Sequence, residues 1–181
     1  FKERMKLYLG EKEYDEFMRF EQKCFAETET INNAIFDYLA MQTKTDTILI
    51  PGDLSFNGEK ESHLGFIKLL KKLQENGKRV FVITAGHDFN DYCRGYTDAG
   101  IHEVEHTNRD ELFDLYYEFG FKDAIAVDKK HLSYVAQLTP DIRLLALNND
   151  GTPECKETYD EEQMQWIKEQ IRDAKANNQM I

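Results

Sequence analysis

Two stretches decide the fold: Thr47-Ile48-Leu49-Ile50-Pro51-Gly52-Asp53 and Val80-Phe81-Val82-Ile83-Thr84-Ala85-Gly86-His87. Each begins with an apolar run typical of a strand buried on both faces, and each ends in a turn that contains glycine. The segment between them, 61–76, has the length and apolar spacing of one helix, and Gly77 is expected to end it. Such a crossover leaves its two strands parallel, so both turns should lie at one edge of the sheet. The sequence therefore predicts an α/β domain with a ligand site at that edge.

The composition is that of a globular protein with one domain. The chain has 181 residues, of which 41% are hydrophobic and 31% charged, which is enough for one ordinary core. Its formal net charge is −11, and generic nucleic-acid binding is not expected because such binding needs a basic surface. No apolar run approaches the length of a transmembrane helix, so no membrane span is expected in this chain.

The cysteines and the first residue leave the localisation open. Cys24, Cys93 and Cys155 are an odd number and widely spaced, which is typical of reduced thiols and favours the cytoplasm. The first residue is Phe1 rather than a methionine. A signal peptide preceding it would instead direct the protein out of the cytoplasm. The oligomeric state also stays open.

The remaining chain divides into a lead-in and the α/β domain itself. Residues 1–29 are mixed charged and aromatic and predict a partly helical lead-in, whereas 30–181 read as the single α/β domain. Residues 89–107 contain several turn signals and are expected to be irregular. The other predicted elements are a helix opened by Thr30 with the apolar stripe Ile31, Ala34, Ile35, Tyr38 and Leu39, a helix capped by Asn108, a hairpin of strands 133–138 and 142–147, a last helix opened by Asp160 and Gln163, and the start of a strand at 179–181.

Asp53 and His87 are the candidate site residues. A carboxylate just beyond a buried strand can bridge two hard cations, although Gly-Asp is also a common turn. A histidine at a strand end can protonate a leaving oxygen or stabilise charge on a transferred group, although a lone histidine is more often a polar residue with ordinary partners. Gly86 precedes it and would allow close approach of a ligand. Their expected convergence favours a functional role for both.

A second pattern suggests a different chemistry. His102-Glu103-Val104-Glu105-His106 matches the HExxH pattern of zinc proteases, in which both histidines lie on one face of a helix and the glutamate is the base. The match falls between Gly100 and the cap at Asn108, which leaves little room for a helix. A zinc protease is therefore a remote alternative.

Several segments together resemble the calcineurin-like metallophosphoesterase family. The resemblance is strongest in Ile50-Pro51-Gly52-Asp53-Leu54-Ser55-Phe56-Asn57-Gly58-Glu59-Lys60-Glu61-Ser62-His63 and in Val80-Phe81-Val82-Ile83-Thr84-Ala85-Gly86-His87-Asp88, including the helix between them. It continues more weakly through Phe113-Asp114-Leu115-Tyr116, Ser133-Tyr134-Val135-Ala136 and Glu162-Gln163-Met164-Gln165-Trp166-Ile167. It covers about residues 30–181.

The resemblance implies a fold, a reaction and roles for two residues. The implied fold is a four-layer α/β/β/α sandwich with a dinuclear metal site at the strand ends, where a metal-bound hydroxide hydrolyses a phosphomonoester or phosphodiester. Asp53 matches the family's bridging metal ligand, and His87 matches its catalytic histidine, which contacts the phosphate and assists the leaving group. The two divalent ions would be Mn, Fe, Zn or Mg, and the substrate partner would be a phosphate ester.

The sequence also departs from the family pattern. Gly86 stands where the family has a metal-binding asparagine, and Phe56 stands where many members carry a residue that orients the histidine. The family's opening Asp-x-His and its two closing histidine motifs do not occur. We therefore expect an internal piece of a larger enzyme, with an incomplete site and little or no catalysis by this chain. The alternative is a non-catalytic binding or scaffold domain that kept the fold.

Overall fold

The computed structural model describes residues 2–21, 27–97, 100–150 and 159–181. Its helices are α1 (Lys2–Leu9), α2 (Glu11–Glu21), α3 (Thr28–Met41), α4 (Lys60–Glu75), α5 (Arg109–Leu115) and α6 (Glu161–Ala176). Its strands are β1 (Thr47–Ile50), β2 (Arg79–Val82), β3 (Cys93–Thr97), β4 (Gly100–Val104), β5 (Ala124–Asp128), β6 (Ser133–Thr139) and β7 (Ile142–Ala146). The predicted α/β class is confirmed. Cys93 is a buried free thiol, whereas Cys24 and Cys155 lie outside the described residues.

The predicted strand–helix–strand unit is formed by β1, α4 and β2. The two strands pair in parallel, with Ile50 opposite Val82. Helix α4 turns Leu70 and Leu73 into the core, where both are fully buried. It ends at Gly77, whose φ of 76° lies in the left-handed region, and the Lys78 N–H then donates to the Leu73 carbonyl (3.0 Å). The ends of β1 and β2 are thereby brought to the same edge.

Strand β1 is buried on one face only, which corrects the prediction of burial on both. Ile48 is 8% exposed, but its neighbour Leu49 is 52% exposed. Alternate side chains of a strand point to opposite faces, and the described part of the chain places little over the face that carries Leu49.

The second sheet is antiparallel and has the order β5-β6-β7. The hairpin of β6 and β7 is confirmed, and Met180 extends the sheet because its carbonyl accepts from the Arg143 N–H (2.8 Å). The sequence did not predict β5. Its apolar residues face outward, with Ile125 51% and Val127 41% exposed, so it lacks the buried pattern of a core strand.

The parallel sheet β1-β2 and the antiparallel sheet β5-β6-β7 are joined through β2 and β6. Tyr134 is fully buried and its hydroxyl donates to the Val82 carbonyl (2.9 Å). The Arg79 guanidinium donates to the carbonyls of Leu138 (2.8 Å) and Gln137 (2.5 Å). A Cβ at Gly120 would come within 2.4 Å of the Tyr134 ring, so glycine is needed there to admit the tyrosine.

Helix α3 is rotated from its predicted orientation. Ile31, Ile35 and Tyr38 of the predicted stripe are 41%, 48% and 61% exposed. The buried residue is Phe36, whose ring packs edge-on against Phe66 of α4 at a centroid distance of 5.4 Å. The apolar residues of α3 form a broad band, and the contact with α4 decides which part of that band is buried.

The segment 89–107 contains two paired strands, β3 and β4, which corrects the prediction of an irregular loop. Strands β3 and β4 pair antiparallel, with Gly95 opposite His102. A Cβ at Gly95 would lie 2.4 Å from Val104 Cγ1, so the glycine that was read as a turn signal is a strand residue that makes room for a neighbouring side chain.

The starts of α5 and α6 are as predicted. Asn108 accepts from the Glu111 N–H (3.1 Å), and Asp160 accepts from the Gln163 N–H (2.8 Å). Asp160 also contacts the buried His131 (3.2 Å), whose other ring nitrogen lies 2.6 Å from Asp128. Within the described ranges, the helices found are too short or too polar to cross a bilayer.

Candidate functional site

The turns after β1 and β2 meet at the edge of the parallel sheet. The Oδ1 atom of Asp53 lies 3.2 Å from the Nδ1 atom of His87, and the two side chains are 62% and 54% exposed. The predicted proximity of these residues is therefore confirmed. A carboxylate that accepted the Nδ1–H of this ring would fix its orientation and leave Nε2 as the nitrogen that can face a substrate.

The turn that carries Asp53 requires its glycine. Gly52 has a φ of 102°, and a Cβ there would lie 2.8 Å from the Cβ atom of Ala85. Asp53 itself has a φ of 63°, a left-handed conformation that aspartate tolerates better than most residues. The first turn thus rests directly on the second, and this contact sets the distance between Asp53 and His87.

Asp88 clamps the two turns together. It is fully buried, and its carboxylate accepts from the backbone N–H groups of Leu54 (2.6 Å), Ser55 (2.9 Å) and Ala85 (2.8 Å). Burial raises the pKa of Asp88, whereas these three donors act in the opposite direction. Since both of its oxygens already accept hydrogen bonds, we assign Asp88 a structural role.

A second buried pair lies beneath Asp88. The His63 Nε2 atom is 2.8 Å from the Asp88 carbonyl oxygen, and its Nδ1 atom is 2.6 Å from the Tyr116 hydroxyl. Both side chains are fully buried. Burial lowers the pKa of His63 and raises that of Tyr116, so both groups are neutral at pH 7. The sequence analysis gave neither residue a role in the site, although both lie in segments of the family resemblance. A histidine within an amphipathic helix gives no signal of its distant partner.

Asp150 is a further carboxylate that the sequence analysis missed. Its Oδ1 atom lies 3.4 Å from the position that a Cβ on Gly86 would occupy. Its Oδ2 atom is buried and has no hydrogen-bond partner among the described residues. Burial raises the pKa of Asp150. A signal was available, because Asn148-Asn149-Asp150 follows a strand directly, as Asp53 does.

A buried polar network holds the segment that carries Asp150. Asn148 donates to the carbonyl of Thr84 (2.8 Å), at the end of β2, and its own carbonyl accepts from Gln163 of α6 (2.8 Å). The backbone N–H of Asp150 donates to the Asn148 side chain (2.9 Å). Both sheets and α6 therefore contribute to the position of this carboxylate.

The residues do not by themselves fit the dinuclear metal centre that the resemblance implies. Gly86 has no side-chain oxygen, and the Asp88 carboxylate is used by three backbone donors. Over 2–21, 27–97, 100–150 and 159–181, no group of three or more histidine, cysteine or acidic side chains could hold a metal ion. Asp53 and His87 are close enough to act together, but two cations would require further ligands.

Asp53 also borders a large open cleft of about 1810 Å³. Its lining includes Phe17 of α2, Asn33 of α3, Leu64 of α4 and Arg94 of β3. Among the described residues, helices α2, α3 and α4 and strand β3 thus surround the space next to Asp53.

The HExxH segment does not form the helix that a zinc protease would need. His102 and Glu103 lie on strand β4, and His106 makes an isolated bridge with Glu59. Residues four apart on an extended strand are separated by roughly 13 Å, so these two histidines are not one helical turn apart as the pattern requires.

Comparison with known families and with curated proteins finds no family model that matches the chain and no matching curated protein.

Proposed function

We propose that this chain carries part of the active site of a calcineurin-like metallophosphoesterase, which hydrolyses a phosphomonoester or a phosphodiester. The observation that carries the proposal is the pair formed by Asp53 and His87, 3.2 Å apart at the ends of two parallel strands. The strand–helix–strand order of β1, α4 and β2 also supports the proposal. Asp53 and His87 are the two residues that match the family's site residues, and they are the two that lie close together.

The proposed fold is the family's four-layer α/β/β/α sandwich. Contacts of α3 with α4 and of α4 with β2 support a helical layer on the first sheet, and contacts of α6 with β5 support one on the second. The bonds from Tyr134 and Arg79 support direct packing of the two sheets.

In the proposed reaction, His87 and Asp53 act on the leaving group. Water attacks phosphorus and releases one proton to the solvent, and the bond from phosphorus to the leaving oxygen breaks. The Nε2 proton of a protonated His87 passes to that oxygen, and the ring then regains a proton from the solvent. Asp53 accepts the Nδ1–H, orients the ring and stabilises its positive charge. Asp53 would thereby perform the orienting task that Phe56 cannot perform. The cations of the family would need ligands in addition to these residues, and we assign them no step.

The test is whether phosphate binds at these turns. Inorganic phosphate would be added with Mg²⁺ to the isotope-labelled protein, and the amide signals of Gly86, His87 and Asp88 would be followed by NMR. We expect saturable shifts of these signals that Asp53→Asn abolishes, whereas Asp141→Asn, at an exposed turn, should leave them unchanged. Absence of shifts, or shifts that survive Asp53→Asn, would contradict the proposal.

A non-catalytic binding domain is the second candidate. Gly86 favours it, because this position offers no metal-binding side chain. The two candidates differ in turnover: hydrolysis of p-nitrophenyl phosphate or its bis ester with Mn²⁺ supports an enzyme. If the wild type and Gly86→Asn both bind phosphate but neither hydrolyses these esters, the result supports a non-catalytic binding domain.

A further inference from the structure

Buried hydrogen bonds join a row of side chains that runs from the end of α5 to the backbone beside His87. We call this row of bonds the file. It starts at the Tyr116 hydroxyl, passes through the His63 ring and ends at the Asp88 carbonyl, with distances of 2.6 and 2.8 Å. Tyr116, His63 and Asp88 each have a relative exposure of 0%. These groups are far apart in the sequence, so only the fold brings them together.

The direction of each bond is fixed by chemistry. A backbone carbonyl can only accept a hydrogen bond. The Nε2 atom of His63 therefore carries a hydrogen and donates a hydrogen bond to the Asp88 carbonyl. The Nδ1 atom of the neutral ring is then an acceptor, and the Tyr116 hydroxyl must donate to it. The lowered pKa of His63, caused by burial, agrees with a neutral ring. The file therefore has one arrangement in which every polar atom is satisfied.

This file holds the backbone on which His87 is mounted. The Asp88 carbonyl is fixed by His63, and the Asp88 carboxylate binds the N–H groups of Leu54 and Ser55. The Ser55 hydroxyl in turn donates to the His87 carbonyl (2.8 Å). Displacement of Asp88 would therefore move His87 on one turn and Leu54, the residue after Asp53, on the other.

We propose that Tyr116 and His63 are positioning residues for the pair of Asp53 and His87 and act on it through Asp88. Their proposed role in catalysis rests on the proposed function, but their effect on the geometry of the pair does not. Neither side chain faces the cleft, so a contribution to the site has to pass through the Asp88 backbone.

The experiment compares two buried tyrosines that each lose one hydroxyl. Tyr116→Phe removes the hydroxyl that donates to His63. Tyr134→Phe removes the hydroxyl that donates to the Val82 carbonyl; Tyr134 is as buried as Tyr116 but is not part of the file. In each background, NMR would record how far Asp53→Asn shifts the ring signals of His87. We expect Tyr116→Phe to reduce this response by about twofold or more and Tyr134→Phe to leave it within error of the wild type.

The outcomes separate positioning from general stability. An unchanged response in Tyr116→Phe, or an equal reduction in both variants, would overturn the proposal. If Tyr116→Phe does not fold, His63→Gln and His63→Leu replace it, because glutamine can donate to Asp88 and accept from Tyr116 whereas leucine can do neither. Glutamine should then preserve the His87 response and leucine should reduce it, and equal responses would again overturn the proposal. Since no phosphate is present, failure here is distinguishable from failure of the proposed function.

Discussion

Gly86 is the residue at which this chain departs most clearly from the family it resembles. Its Cβ position is in ordinary contact with Asp150 Oδ1 at 3.4 Å, so a side chain can be added there without displacing the backbone. The neighbouring Asp150 carboxylate has one buried oxygen without a partner in the described residues. An amide oxygen at position 86 would lie beside it.

We expect Gly86→Asn to increase the affinity for Mn²⁺ by about tenfold, which corresponds to ~1.4 kcal/mol. The reason is that asparagine adds an oxygen ligand next to Asp150 and His87. Calorimetric titration would measure the affinity. Gly65→Asn is the control, because a side chain at Gly65 meets nothing within 4 Å. Equal affinities of the two variants would contradict this expectation.

His63 should make the stability of the protein depend on pH. Burial lowers its pKa in the folded state below the ordinary value of 6.5, so the unfolded chain binds a proton more readily than the folded one. The stabilising effect is then complete above pH 6.5 and is lost as the pH falls through the window below that value.

Urea unfolding between about pH 7.5 and about pH 5.5 would measure this dependence. We expect His63→Gln to flatten the decline in the free energy of unfolding toward low pH, because glutamine does not titrate. His102→Gln, at an exposed strand position, should retain the decline. If the free energy of unfolding of His63→Gln declines toward low pH as steeply as that of the wild type, His63 is not the source of the decline.

At the scale of elements, helices and strands were predicted best where the apolar period, the segment length and the residues at both ends indicated the same structure. The cap at Asn108 and the glycine at Gly77 each depend on neighbours within one turn of helix, so local pattern was sufficient for both. The predicted apolar stripe of α4 is buried at Leu70 and Leu73 but exposed at Leu64. Strand β5 was missed because Ile125 and Val127 point outward. In α3 the period was right but the buried face was wrong, because the contact between Phe36 and Phe66 is not a local property.

The β3–β4 hairpin shows how a strand glycine can be taken for a turn. We expect Gly95→Ala to lower the free energy of unfolding by about 1–3 kcal/mol, because the added Cβ overlaps Val104 Cγ1. Thermal unfolding would measure the loss. Replacing Val104 by alanine in the same background should recover part of it, and a loss that Val104→Ala leaves unchanged would show that the overlap is not its cause.

At the scale of the whole molecule, Arg79 and Tyr134 link the parallel sheet β1-β2 to the antiparallel sheet β5-β6-β7. We expect Arg79→Met to destabilise the protein by about 1–2 kcal/mol, because two carbonyl groups of β6 lose their charged donor. Lys71→Met, on the exposed side of α4, is the control and should stay within about 0.5 kcal/mol of the wild type. Urea unfolding would compare them, and similar values for both variants would contradict this role.

The candidate site could be predicted only in part. Asp53 and His87 were predictable because each follows a strand and a parallel crossover brings strand ends together. His63 and Tyr116 were not, since they lie 53 positions apart and nothing in the local pattern indicates that they will meet. The contacts of Asp88 with Leu54 and Ser55 likewise span 34 and 33 positions. Asp150 shares with Asp53 the signal of following a strand, and the sequence analysis overlooked it. Sequence reasoning therefore found the exposed pair and missed the buried groups that support it.

The exposed flank of β1 has a consequence for where more of the chemistry could come from. Leu49 is half exposed there, and an edge strand offers unpaired N–H and carbonyl groups to any extended segment. A segment that paired with β1 in parallel would finish next to Asp53 and deliver its own last side chains to the same rim. Such a strand would complete the hydrogen bonding along the free edge that β1 has among the described residues, and it would bring new side chains beside Asp53 and His87.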